Sequence, residues 1–263
     1  MRLLFAVLSV LMLSGPVVAQ DTALQSLLTG DQSKGWEAVG RLDLGKRGFC
    51  TASLIEEDVV LTAAHCLFDK ETNVRVPNSE IRFLAGWRNG RAAAYRGVKA
   101  SVAHPEYVFG GSDLIRRVPY DIALLQLDQP IRLPSLKPFA IGQVARGETQ
   151  VGIVSYAHDR AEAPSLQEMC HVLDRATGMM VLSCTVDFGS SGAPIFDLSG
   201  SRPLIVSLVS AKAEAAGRNV SLGVELGEEL TFLRTKLQEE TGTMGVGNVR
   251  ILSGGAKFIK PDR

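Results

Sequence analysis

The sequence has no surplus of charge of either sign: 28 Lys and Arg are matched by 28 Asp and Glu among 263 residues. A balanced chain has no bulk attraction for nucleic acid or for an anionic membrane surface, so neither is an expected partner. It also lacks a second long apolar run. After the first residues, no stretch approaches the roughly 18 apolar residues that a membrane-spanning helix needs. Cysteine is scarce, at four positions (Cys50, Cys66, Cys170 and Cys184), and no Cys-x-x-Cys pair occurs. That removes a common zinc spacing, so no metal and no cofactor is expected. With 46% apolar and 21% charged residues, the composition is that of a folded globular chain rather than a disordered one.

The chain opens MRLLFAVLSVLMLSGPVVAQ. One Arg precedes an apolar run from Leu3 to Leu13, Ser14-Gly15-Pro16 breaks it, and Val17-Val18-Ala19 offers a small residue at a cutting position. Residues 1–19 therefore read as a secretory signal peptide cleaved after Ala19. The run is too short to serve as an anchor across about 30 Å of hydrocarbon. The mature chain is expected to be secreted or periplasmic, without a membrane anchor. An even cysteine count in an exported chain favours two disulfides, and four cysteines allow three pairings.

Short β-like runs, separated by Gly, Pro, Asn and Asp, follow a polar lead-in over 20–36. The first set covers 37–43, 49–55, 58–62, 81–85, 98–103 and 122–127. The second covers 149–156, 169–173, 179–184, 194–198, 203–210 and 219–226. A Pro-bearing stretch, 128–147, joins two groups of six. This pattern predicts an all-β architecture of barrels or sandwiches rather than α/β units. One helix is expected late, over 227–239, where Leu226, Leu230, Leu233 and Leu237 share a face and Phe232 points away from it. The Gly-rich residues 240–263 read as a flexible tail.

Three local patterns carry chemistry. In Leu61-Thr62-Ala63-Ala64-His65-Cys66, small residues let the backbone close behind an imidazole, which can take and return a proton near neutral pH. In Tyr120-Asp121-Ile122-Ala123-Leu124-Leu125-Gln126-Leu127, a carboxylate heads an almost wholly apolar strand, either as a strand-end cap or as a buried orienting group. In Gly189-Ser190-Ser191-Gly192-Ala193-Pro194, small residues allow a tight turn that can aim the amides of Gly189 and Ser191 at one point. A serine nucleophile needs these three parts: a base, a group that orients the base, and donors for an oxyanion.

Taken in this order, the motifs TAAHC, DIALLQL and GSSGAP resemble those of the trypsin/chymotrypsin family, and His104-Pro105-Glu106-Tyr107 resembles the family's His-Pro-x-Tyr segment. The resemblance spans about residues 37–235. It implies two six-stranded antiparallel β-barrels, over 37–135 and over 136–239 with the C-terminal helix, and an active site between them. It implies a secreted serine endopeptidase acting through an acyl-enzyme on protein or peptide substrates. His65 would be the base, Asp121 its orienting partner and Ser191 the nucleophile, with Gly189 and Ser191 as the oxyanion hole. It also implies the disulfides Cys50–Cys66 and Cys170–Cys184. The molecule is expected to act as a monomer.

The chain departs from that family at informative places. Ser190 stands where most relatives have an Asp that pairs with a new N-terminus after zymogen cleavage, and DQSKGWEAVGRL holds no Ile-Val-Gly-Gly segment. Activity is therefore expected without that ion pair. Thr185 falls at the expected pocket floor, where trypsin has Asp, so a preference for Arg or Lys is not expected. Ser210 and Lys212 fall on the expected pocket edge, with Lys212 replacing a Gly. His104, His158 and His171 read as structural or surface residues. The alternative function is a catalytically silent homologue that binds proteins through the same cleft. A quality-control protease of the HtrA type is not expected, since the residues after 240 are too few for a PDZ domain of roughly 90 residues.

Overall fold

The polar lead-in is pinned to the body of the protein. The computed structural model describes residues 20–242 apart from 112, 145, 146 and 148. The signal-like run and the tail beyond Gly242 lie outside the described residues. Strand β1 (Gln25–Ser26) pairs antiparallel with a long strand of the second half. Thr22 adds a reciprocal pair of bonds, its N–H to the Met169 carbonyl (2.9 Å) and the Met169 N–H to its hydroxyl (2.9 Å). A short helix α1 (Gly30–Ser33) follows, started by a capping box in which Thr29 and Gln32 satisfy each other's free amides.

Six strands then close on themselves: β2 (Val39–Leu44), β3 (Phe49–Glu56), β4 (Val59–Thr62), β5 (Ile81–Ala85), β6 (Ala94–Ala103) and β7 (Ala123–Leu127), in the order β2-β3-β4-β7-β6-β5. The one-turn helix α2 (Leu114–Arg117) sits in the connection before β7. Alternation is clearest in β2, whose Leu42 and Leu44 point inward while Arg41 and Asp43 point outward and pair at 2.6 Å. Residues 50–55 of β3 are buried without alternation, because one face fills the barrel and the other meets the second half of the chain.

That second half holds β8 (Ala140–Ile141), β9 (Gln150–Ala157), β10 (Arg160–Ala176), β11 (Met179–Leu182), β12 (Pro194–Asp197), β13 (Leu204–Ala215) and β14 (Arg218–Glu225). Strands β9-β10-β11-β14-β13-β12 form a second closed six-stranded barrel, since β12 and β10 both pair with β9. Strands β1 and β8 add to its outside. The twelve expected barrel strands are all present. Two are longer than their apolar cores: β10 begins at Arg160, and β13 runs past Ser210 to Ala215 in a polar hairpin with β14. Cross-strand hydrogen bonding carries these hairpins beyond the buried region.

Helix α3 (Gly227–Thr241) buries Leu230, Leu233 and Leu237, leaves Phe232 39% exposed, and stops at Gly242 in the left-handed conformation. It packs on β6 and β7, crossing back to the first barrel. Glu229 of this helix meets buried His104 at 2.6 Å, and the His104 ring stacks on Tyr120. Among the described residues, no helix is long and apolar enough to cross a membrane. Both disulfides join close strands or turns, Cys50 to Cys66 and Cys170 to Cys184, and no described cysteine is free.

The barrels share an aromatic joint. Phe196 of β12 is fully buried and lies edge-on to Trp36 (5.1 Å) and to Phe139 (4.8 Å). Truncating it would leave a cavity between two layers that cannot both collapse. Phe196→Ala is expected to cost roughly 3–5 kcal/mol in urea unfolding; a loss below about 1 kcal/mol would show that the joint does not hold the barrels together.

Candidate active site

Asp121 and His65 sit at neighbouring edges of the first barrel, at the start of β7 and in a short 3₁₀ turn after β4. The Cys50–Cys66 bond ties that turn to β3. Asp121 is 3% exposed, and three donors answer its carboxylate. The His65 backbone N–H donates to Oδ1 at 2.8 Å. The Nδ1 of His65 lies 2.7 Å from Oδ2, and the Ser210 hydroxyl donates to the same oxygen at 2.5 Å. An ionised carboxylate only accepts, so this arrangement puts the ring proton on Nδ1 and leaves a lone pair on Nε2. A buried carboxylate without such donors would be strongly disfavoured.

Ser191 lies on the connection between β11 and β12, and four backbone facts shape its loop. Gly189 has φ +98°, and a Cβ there would sit 2.5 Å from the Phe49 ring. The Phe188 carbonyl accepts from the His158 N–H at 2.7 Å, and the Ser190 carbonyl accepts from the Ala193 N–H at 2.9 Å. The peptide bonds are trans, so the N–H groups of Gly189 and Ser191 point the opposite way from those carbonyls. Among the described residues neither amide has a hydrogen-bond partner. Two amides of one turn are thereby left without a partner, while the Ser190 N–H between them bonds the Asp187 carbonyl at 2.9 Å.

The loop is fastened from both barrels. Thr51 of β3 donates from its N–H to the Ser191 carbonyl (2.9 Å) and from its hydroxyl to the Gly189 carbonyl (2.8 Å). Ser190 is fully buried; its hydroxyl donates to the Tyr156 carbonyl (3.1 Å) and accepts from the Asp187 N–H and Arg160 Nη2, each at 3.3 Å. Sequence reasoning missed Thr51, Arg160 and Gln167. The signals were faint: a threonine inside an apolar strand, an arginine at a strand start, and a glutamine that follows the small and apolar run Ala163-Pro164-Ser165-Leu166.

His65, Asp121, Ser191, Ser210 and Lys212 line one cleft of about 680 Å³. Among the described residues, no hydrogen bond joins the Ser191 hydroxyl to the His65 ring in this conformation. Thr185 does not line this cleft. It is exposed in a smaller depression of about 150 Å³ that shares Val186 and Lys212 with it. Its N–H is held by the Gln167 side chain at 2.8 Å, which keeps it against β10. Ser210, expected at the pocket edge, lines the cleft, and its hydroxyl donates to Asp121. Lys212 lies 3.8 Å from Asp187, with both side chains about half exposed. Cys50, His65 and Cys66 cluster closely, but both sulfurs are spent in a disulfide, so the group does not suit a metal ion.

A family model described as Trypsin matches residues 29–224. Vitamin K-dependent protein C of Rattus norvegicus is 34% identical over 120 residues, 45% of this chain and 22% of that protein. Serine protease 23 of Mus musculus is 27% identical over 175 residues, 59% of this chain and 44% of that protein. The chain thus spans less than half the length of these curated relatives. Among solved structures, a Glu endopeptidase in complex with MPD superposes with a TM-score of 0.67 at 16% identity, covering 84% of this chain and 99% of that one. A thermostable serine protease, AL20, from an extremophilic microorganism reaches 0.61 at 17% identity, covering 77% of this chain and 97% of that one. These similarities bear on the fold.

Gly192 provides a sharp test of the loop's geometry. Its φ is +76°, and a Cβ would fall 2.2 Å from Thr62 Oγ1 and 2.5 Å from the Thr51 carbonyl oxygen. Gly192→Ala is expected to lower stability by more than about 2 kcal/mol, because strain and overlap with backbone add. Thermal unfolding within a degree or two of the parent would contradict this packing.

Proposed function

We propose, from the premise that the chain belongs to the trypsin family, that it is a serine endopeptidase whose Ser191 is the nucleophile. The observation that carries this reading is the pair of unpartnered amides at Gly189 and Ser191 beside a carboxylate-oriented imidazole. In the proposed cycle, His65 Nε2 takes the Ser191 hydroxyl proton as Oγ attacks the scissile carbonyl carbon. The negative charge that develops on the carbonyl oxygen is received by the two amides, which are already oriented and so need no reorganisation. His65 then gives its proton to the departing amine, leaving an acyl-enzyme, and water repeats the sequence to free the acid. Asp121 stays ionised and keeps the ring in the useful tautomer.

The cystine pairs and the apolar first residues support export, so we place the protein outside the cytoplasm, acting on protein or peptide substrates as a monomer. Two tests follow. Ser191→Ala is expected to lower peptide hydrolysis on the order of 10³-fold or more and to abolish labelling by a fluorophosphonate. An unlabelled parent chain would point instead to a silent homologue that binds through the same cleft.

The second test concerns activation. The Ser190 hydroxyl already has partners on its donor and acceptor sides, the Tyr156 carbonyl, the Asp187 N–H and the Arg160 guanidinium, so no newly exposed N-terminus is needed to hold the loop. A chain beginning at Gln20 is expected to be active as made, measured by fluorophosphonate labelling before and after limited proteolysis. Labelling that appears only after a cut within 31–40 would reverse this.

A further inference from the structure

The end of the cleft beyond His65 and Asp121 carries donors that the chain leaves unanswered. Tyr107 is 7% exposed, yet its hydroxyl, shielded from solvent, has no hydrogen-bond partner among the described residues. Arg117, the last residue of α2, lies over the same ring with Cζ 5.8 Å from its centroid. Its Nη1 donates to the Gly111 carbonyl at 2.7 Å, while its buried Nε has no partner. Both residues line the cleft with His65 and Asp121. A buried donor left unmade costs about 1–3 kcal/mol, so an acceptor arriving here is favoured. Burial and the nearby Asp121 charge push the Tyr107 hydroxyl above the ordinary tyrosine range, so it remains a donor.

Charge selects among acceptors. Apart from His65, the charged side chains lining the cleft are Lys70, Arg117, Asp121, Asp187 and Lys212. Asp121 is satisfied internally, and Asp187 lies opposite Lys212. Among the described residues, Arg117 and Lys70 have no carboxylate partner. Lys70 stands exposed at the rim near the Phe188 ring, so it is hydrated, whereas Arg117 is half-buried and more weakly hydrated as a guanidinium. Two unpartnered donors on cleft-lining residues and one uncompensated positive charge match the two oxygens and single negative charge of a carboxylate.

Resting on the endopeptidase reading above, we propose that Tyr107 and Arg117 form a subsite for an Asp or Glu side chain of the substrate. This subsite is separate from the pocket beside Ser191. The acidic residue sits at a fixed number of positions from the cut, on the His65 side of the cleft. Neighbouring Phe109 and Leu114 face the adjoining stretch of peptide.

The test uses the Ser191→Ala chain, which holds peptides uncut. The probes are fluorescein-labelled, alanine-rich octapeptides carrying one Glu at each position in turn, with Gln counterparts, read by fluorescence anisotropy. One Glu register is expected to bind about tenfold tighter than its Gln counterpart. Arg117→Gln in the same background should bring that ratio to within about twofold, and Tyr107→Phe should lower it about threefold. Arg117→Lys, which keeps the charge but loses the fork, should retain part of the ratio and guards against a disordered loop. Equal binding of Glu and Gln peptides in every register, no binding of any, or a ratio indifferent to Arg117→Gln would overturn the subsite. Fluorophosphonate labelling of the parent chain decides the endopeptidase reading separately: labelling without Glu discrimination sinks the subsite alone, and discrimination without labelling sinks only the hydrolase.

Discussion

The Asp121 carboxylate is the constraint around which the two barrels are arranged. At 3% exposure it has lost its water, and an ion without compensation there would cost several kcal/mol. Two of its three donors come from the His65 turn of the first barrel, and the third, the Ser210 hydroxyl, comes from β13 of the second. The charge is therefore fully answered only when the barrels are docked. The same three bonds that make burial tolerable orient the imidazole, so the stability of the interface and the readiness of the proposed base are one arrangement.

The loop bearing Ser191 obeys a complementary logic. Its amides can be open to an incoming oxygen only if its carbonyls are occupied elsewhere, and each is. His158 takes the Phe188 carbonyl, Thr51 takes those of Gly189 and Ser191, and Ala193 takes that of Ser190. Ser190 adds a buried hydroxyl bonded on both its donor and acceptor sides. A neutral hydroxyl in this place avoids the desolvation cost that a carboxylate would carry, and so removes the need for a cationic chain end to neutralise it. The arginine at hand, Arg160, already pairs with Asp159 at 3.0 Å while it donates to Ser190.

How much of this was legible depends on the range of the interaction. The strands of both barrels could be read because burial on one or both faces imposes apolar runs of the right length, and turn residues mark their ends. His65, Asp121 and Ser191 could be read because each sits in a short local pattern. Thr51, Arg160 as a partner of Ser190, and the Tyr107–Arg117 pair could not, since each depends on side chains that only the folded barrels and loops bring together. Thr185 shows what counting along the chain leaves open. Its place six residues before Ser191 suggested the floor of the pocket; it lies in a depression that shares Val186 and Lys212 with the cleft, with its N–H held by the Gln167 side chain. Ser210 lines the cleft, and its added bond to Asp121 could not be read, because a hydroxyl's partner is invisible in sequence.

Gln167 also explains why the lead-in is ordered. Its amide nitrogen donates to the Thr22 carbonyl at 2.9 Å while its oxygen accepts from Thr185, so one buried side chain joins the lead-in to the start of the Ser191 loop. Asp21 does the same through His171 and Ser183, at 2.7 and 2.8 Å. The loop is thus anchored at its beginning from outside the second barrel and at its end from Thr51 of the first. A segment held at both ends has few conformations to lose when a substrate arrives, so the orientation of the Gly189 and Ser191 amides is established by folding rather than by binding.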